Sequence, residues 1–264
     1  MFRHRSLRLA LGASVLAVVA ACSGSAPAAP ALTDPVDILV QSVQTLDDVK
    51  SFRADVAVSG SVNVDMMGTG QTSAFPLDNT TAQLDVDVEN KNAKATFSAP
   101  ALMGISGELI QIGSTSYTKT SLTGPLYQKS ESTEAGAVDE ATDMSEEDIA
   151  ELREQLSKVQ PTKGEDVSCG DKQCYTVTID LDSAELQSLG GELPTEGLPA
   201  DMSEASIKAT FKVEKDTLRP AGVDLTMDLG SQGNLTVAVT LSNWDEAVTI
   251  EAPPADQVQK MPGS

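Results

Sequence analysis

Residues 81–88 read Thr-Ala-Gln-Leu-Asp-Val-Asp-Val, with Leu84, Val86 and Val88 alternating against Asp85 and Asp87. A period of two sends successive side chains to opposite sides of an extended chain, so this stretch makes a strand with one apolar and one wet face. The same alternation runs through Phe52, Ala54, Val56 and Val58 and resumes after Gly60 at Val62, Val64 and Met66. Further strands are expected over 94–98, 107–112 and 114–120, with Gly113 at a turn, and a hairpin over 167–181. Others follow over 205–214, 221–229 and 234–242, with Ser231, Gln232 and Gly233 in a turn, and a short one over 247–250 before Pro253 and Pro254. So much alternation demands a large antiparallel sheet, apolar on one side only.

Helical spacing occurs in three places. Val36, Leu39, Val40, Val43, Leu46 and Val49 share one face of a helix opened by Asp34 and Pro35. Ser145 and Asp148 resemble a capping box ahead of Ile149, Leu152, Leu156 and Val159, and Pro161 ends that helix. Ser183 begins a short helix with Leu186 and Leu189, broken at Gly190 and Gly191. Residues 130–144, polar and acidic, read as a surface loop. The helices do not alternate with the strands, which gives an α+β class: a large curled antiparallel sheet, a half-barrel, with two to three helices on its concave face.

The N-terminus carries an address. Arg3, Arg5 and Arg8 precede an apolar run over 9–21, too short for the ~20 residues a membrane span needs. Residues 1–21 fit a secretory signal. Val19-Ala20-Ala21-Cys22 resembles the bacterial lipobox, and the resemblance implies a diacylglyceryl group on the Cys22 sulfur with cleavage just before it. Residues 22–35, rich in Ala, Pro and Ser, read as a flexible tether. Residues 36–264 are then one domain, held on the extracytoplasmic side of the cell membrane.

Cleavage would also remove chemistry. The one histidine, His4, lies in the signal. The remainder has no imidazole, which excludes Ser-His-Asp and Cys-His catalysis and histidine–zinc sites. No catalytic residue, metal site or cofactor is expected. An enzyme built on paired carboxylates would need a pair that nothing in the sequence singles out. Three of the 18 basic residues leave with the signal, so the mature chain carries about −24 against its 39 acids. That charge repels nucleic acid. It also repels anionic headgroups, so membrane contact depends on the anchor or on a local apolar mouth. Aromatic residues are too few, at 3%, for a sugar-binding platform, and Trp244 reads as a packing residue. The acidic run 139–148 lacks the spaced oxygens and turn glycine of a calcium loop.

Cys169 and Cys174 lie within the expected hairpin. A two-residue loop at Asp171 and Lys172, or a four-residue loop, sets them directly opposite, at a spacing of about 5 Å that suits a disulfide. A redox-active or metal-binding pair is the alternative.

Two stretches carry a family resemblance. DILVQSVQTLDDVKSFRADVAVSG resembles the opening of the LppX/LprG/LprA/LprF lipoproteins of actinobacteria, where a helix ends in a small turn, here Val49-Lys50-Ser51-Phe52, and enters a long strand. LTVAVTLSNWDEAVTIEAPPADQV is similar to that family's closing strand, turn and Pro-Pro tail. The cysteine pair and the acidic loop 130–147 depart from it. The resemblance implies a LolA-like fold that holds the acyl chains of a lipid or lipoglycan and carries or presents it across the cell envelope. A two-chain lipid leaving a bilayer exposes about 30 methylenes, at a gross cost above about 20 kcal/mol, so such a carrier needs an apolar site and no catalytic group. Lipid tails would lie between the sheet and the two longer helices, against Val56, Val58, Val86, Leu109, Ile149 and Leu152. The partners expected are that lipid and, through Cys22, the membrane. The alternative is a closed-core envelope protein that senses or scaffolds, with loop 130–147 as its contact surface.

Overall fold

The computed structural model describes residues 31–64, 72–131, 145–189 and 204–259. The signal, Cys22, Met66, most of the acidic loop, and Gly190 and Gly191 lie outside the described residues.

Helix α1 (Pro35–Gln44) begins where the Asp34 carboxylate accepts the backbone N–H groups of Val36 and Asp37. Pro35 occupies the first turn, where no N–H partner is needed. Helix α2 (Glu146–Lys158) begins with the expected reciprocal cap between Ser145 and Asp148, and α3 spans Ser183–Leu189. The strands are β1 (Ser51–Val64), β2 (Ser73–Pro76), β3 (Thr80–Asp87), β4 (Asn92–Ala99), β5 (Ile105–Ile112), β6 (Thr115–Thr120) and β7 (Gln128–Glu131), followed by β8 (Thr162–Lys163), β9 (Val167–Cys169), β10 (Lys172–Leu181), β11 (Ser206–Glu214), β12 (Pro220–Asp228) and β13 (Gly233–Ser242).

All thirteen strands join one antiparallel sheet in the order β7-β6-β5-β4-β3-β1-β13-β12-β11-β10-β8, with β2 on β1 and β9 on β10. The terminal strands β7 and β8 do not pair, so the sheet is an open half-barrel, and the class is α+β. The central pair, β1 with β13, joins opposite ends of the chain. β1 changes partner at Gly60: Ser51 to Val58 face β3, and Ser61 to Val64 face β2. Gly60 has φ 113°, and an added Cβ would collide with the Asn234 carbonyl oxygen of β13. Only glycine takes that conformation at so close an approach.

Alternation missed β2, β7 and β8, which are too short to show a period. Ser130 and Glu131 therefore belong to β7, not to a loop. The expected strand at 247–250 does not form. Val248 and Ile250 pack on Ile110, Ile112 and Tyr117 instead, and the chain continues through Pro253 and Pro254, which have no N–H to donate. Beyond them Tyr127 and the tail exchange backbone hydrogen bonds, to the Gln257 carbonyl and from the Gln259 N–H, each 2.8 Å.

The main core lies between α1, α2, β10 and β11. Ile38 and Val177 are completely buried, with Val40, Val213, Leu156 and Tyr175 around them. Leu186 of α3 closes a smaller cluster with Leu181 and Ala205.

Candidate functional site: an apolar sheet face

Directly opposed residues of antiparallel strands point to the same side, so register traces each face across the sheet. One row runs Val177, Phe211, Val223, Val239, Val56, Ala82, Phe97, Gly107 through eight neighbouring strands from β10 to β5. Its neighbours repeat the pattern. Ile179, Ala209, Leu225, Val237 and Val58 form one. Leu241, Ala54, Leu84, Ala95 and Leu109 form another. The alternation of each strand is thus in phase with the next, and the result is one apolar surface.

The helices cover only part of it. α1 and α2 sit on Val177, Phe211 and Val213, and α3 packs near Ile179 and Ile207. All three therefore lie on this face, at its β10–β11 end. Toward β4 and β5 the surface opens: Phe97 is 36% and Leu109 38% exposed. The Phe97 ring lies over Gly107, where any Cβ would strike it.

The six residues singled out from the sequence all lie on this face. Register places Val56, Val58, Val86 and Leu109 there, Val86 buried and Leu109 exposed. Ile149 and Leu152 pack from α2 onto the helix–sheet core. The six do not form one pocket. The gap between helices and sheet is filled by side chains such as Ile38 and Val177; among the described residues the large apolar side chains of this face most open to water are Phe97 of β4 and Leu109 of β5, while Ala54 of β1 and Val86 of β3 are buried. Heptad-like spacing showed which helix face is apolar, but not which strands it would cover.

The opposite face is polar except at its β5–β6 end, where Ile110, Ile112 and Tyr117 pack with Tyr127, Val248 and Ile250. Glu108 of β5 accepts hydrogen bonds from Lys94 at 2.8 Å and from the Tyr127 hydroxyl at 2.7 Å, with Lys119 at 3.4 Å. Burial alone would raise the Glu108 carboxyl, but the hydrogen bonds from Lys94, Tyr127 and Lys119 outweigh it and hold it below the usual carboxylate range. A shallow cleft of about 530 Å³ on this side is bordered by Asp55, Gln83, Thr96 and Thr240. A second, of about 610 Å³, lies beside the β9–β10 hairpin among Lys172, Lys212, Glu214, Arg219 and Trp244. Trp244 packs on Phe52 with ring centroids 5.4 Å apart, and the Arg219 guanidinium stands 5.7 Å from its ring.

Cys169 and Cys174 form a disulfide with Cα atoms 6.0 Å apart. They are not directly opposite: Cys169 faces Lys172, and Cys174 faces Val167. The turn is Gly170 and Asp171, with Gly170 at φ 66°. This residue adopts the left-handed conformation the turn requires; the turn so moves by one residue and the pairing by two, Cys169 meeting Lys172 in place of Cys174. The bond therefore runs diagonally across the hairpin. Among the described residues no group of three or more His, Cys, Asp or Glu is placed to hold a metal, and no helix is long and apolar enough to cross a membrane.

No family model and no curated relative matches the sequence. Among solved structures, the chain is similar to LprF from Mycobacterium bovis, at 20% identity and TM-score 0.48 over 83% of this chain and 96% of that one. It is also similar to the Mycobacterium tuberculosis lipoprotein LppX, at 15% identity and TM-score 0.45, over 82% and 98%. A LolA superfamily protein from Nitrosomonas europaea matches at 13% identity and TM-score 0.26, over 87% and 99%.

Proposed function

We propose that this chain is an LppX/LprF-type, LolA-like lipoprotein that binds the acyl chains of a lipid or lipoglycan against its apolar sheet face and carries or presents them at the cell envelope. The observation that carries the reading is the uncovered part of that face. A helix-covered sheet whose only task is to fold has no use for Phe97 and Leu109 in water, beside further aliphatic side chains of β1, β3 and β4. Such a patch, continuous across strands and joined to a packed core, suits an aliphatic ligand. Residues 1–21 serve as the signal, residue 22 onward as a tether, and Cys22 as the attachment to the outer face of the cell membrane. The reading needs no catalytic group.

The test is native mass spectrometry and extraction of the chain purified from residue 23 onward without detergent, together with uptake of a fluorescent fatty acid. Co-purified lipid, or saturable uptake lost in Leu84→Asp, is expected. A chain that carries no lipid and takes up no probe would overturn the proposal and favour a scaffold.

A further inference from the structure

We infer that the end of the sheet formed by the β4–β5 and β6–β7 loops docks on the surface of a lipid bilayer.

The first ground is charge. The two loops, residues 99–107 and 120–127, hold no charged residue, in a chain of 39 acidic and 18 basic residues. Glu108, the acid that follows the first loop in β5, is engaged by Lys94 and Lys119. Elsewhere the acidic surface is repelled by anionic headgroups. Because that repulsion decays within a Debye length of about 10 Å, the local balance selects which end can approach a leaflet.

The second ground is apolar exposure in these same loops. Met103 is 88%, Leu122 69% and Leu126 40% exposed. The two loops adjoin: the Ser121 N–H donates to the Ser106 carbonyl at 2.8 Å, and the Ser106 N–H donates to the Ser121 hydroxyl at 3.1 Å. Each is an ordered turn. The Gly104 N–H donates to the Pro100 carbonyl, the Ile105 N–H to Leu102, and the Thr123 N–H to Thr120. Met103 is held at φ 56°, in the left-handed region that residues with a Cβ disfavour. Fixed loops that hold aliphatic side chains in water, with serine, threonine and lysine around them, fit the interfacial layer of a bilayer. Phe97 and Leu109 lie just behind, so the tip leads onto the apolar face.

A third ground rests on the anchoring proposed above. The Leu32 N–H donates to the Tyr175 hydroxyl at 3.1 Å. From there back to Cys22 the chain can extend about 35 Å. Register puts Leu181, the last residue of β10, at the same end of the sheet as these loops, about 20 Å of strand beyond Tyr175. A lipid on Cys22 therefore leaves this end free to meet the membrane.

The test uses the chain from residue 23 onward, which keeps the whole compact unit Leu32–Ser264. In it Leu122→Cys supplies one free thiol beside the disulfide. That thiol carries an environment-sensitive nitrobenzoxadiazole label, and phosphatidylcholine–phosphatidylglycerol vesicles are added. A blue shift and a severalfold rise in emission are expected at position 122, with no change for the same label on Ser114→Cys at the opposite end of the sheet. Met103→Asp with Leu122→Asp should lower vesicle partitioning about tenfold or more without moving the melting temperature. No response at 122, or an equal response at 114, overturns the inference. Fatty-acid uptake without vesicles is read in parallel. Uptake with a silent position 122 overturns docking alone, whereas a response at 122 without uptake upholds docking and overturns the carrier reading.

Discussion

Val56 of β1 stands directly opposite Val239 of β13, while the next residue, Ala57, stands opposite Ala238 on the other side of the sheet. The two faces are thus one residue apart at the seam that joins the ends of the chain. Val56 is half-buried and Ala57 exposed. Asparagine at either site tests the assignment. Val56→Asn places an amide on the apolar face and is expected to cost about 2 kcal/mol and to weaken fatty-acid uptake. Ala57→Asn should change stability by no more than about 0.5 kcal/mol and leave uptake intact. Urea denaturation and probe titration of the two variants read both effects.

Burial separates residues that hold the fold from residues the fold leaves over. Ile38 is wholly enclosed between α1 and the sheet, and its truncation to alanine should cost about 2–5 kcal/mol. Leu122, of similar size, is mostly in water. Leu122→Ala should stay within about 0.5 kcal/mol. Equal losses at the two sites in urea melts would contradict this division.

Much of the fold was readable where the pattern is long. Leu84 and Val86, alternating with Asp85 and Asp87, announce β3, and Ser145 with Asp148 announces α2, because each signal is local. Four-residue β2 and two-residue β8 carry no period to read. Val248 and Ile250 alternate like a strand, yet whether an extended segment pairs its backbone or only packs its side chains depends on which edge is within reach. The apolar face was legible strand by strand through Val56, Val58, Val86 and Leu109. Its extent was not, because the division between covered and open surface depends on where α1 and α2 land. Met103 and Leu122 escaped notice for a related reason: an isolated aliphatic residue in a turn has no sequence signature that distinguishes exposed from buried.

The disulfide closes a short loop between Cys169 and Cys174. In the chain-entropy account a loop of this length contributes about 2 kcal/mol. Replacing both cysteines by serine should lower stability by about that amount while leaving far-ultraviolet circular dichroism unchanged, since β9 and β10 keep their backbone pairing. Thiol titration of the unfolded, unreduced chain from residue 23 onward should find no free thiol. Two free thiols there would contradict the bond.

Acid should weaken the fold through identifiable carboxylates. Glu108 is held below its ordinary value of 4.5, burial being outweighed by its bonds from Lys94, Tyr127 and Lys119. Asp166 is held down by Lys215 and Lys163, and Asp245 by the Lys50 backbone N–H and by Arg219. A carboxyl whose folded pKa is depressed adds stability that is fully present above its unfolded value and is lost as pH falls through the folded one. Melting temperature should therefore be flat with respect to these groups near neutrality and decline as pH falls below the ordinary carboxylate range. Glu108→Gln should lower stability at neutral pH, because Lys94 and Lys119 lose their common partner, and should flatten the acid decline. Thermal melts across the acid range check both. An unchanged acid slope in Glu108→Gln would mean that Asp166 and Asp245, which brace the turns at the other end of the sheet, carry the dependence instead.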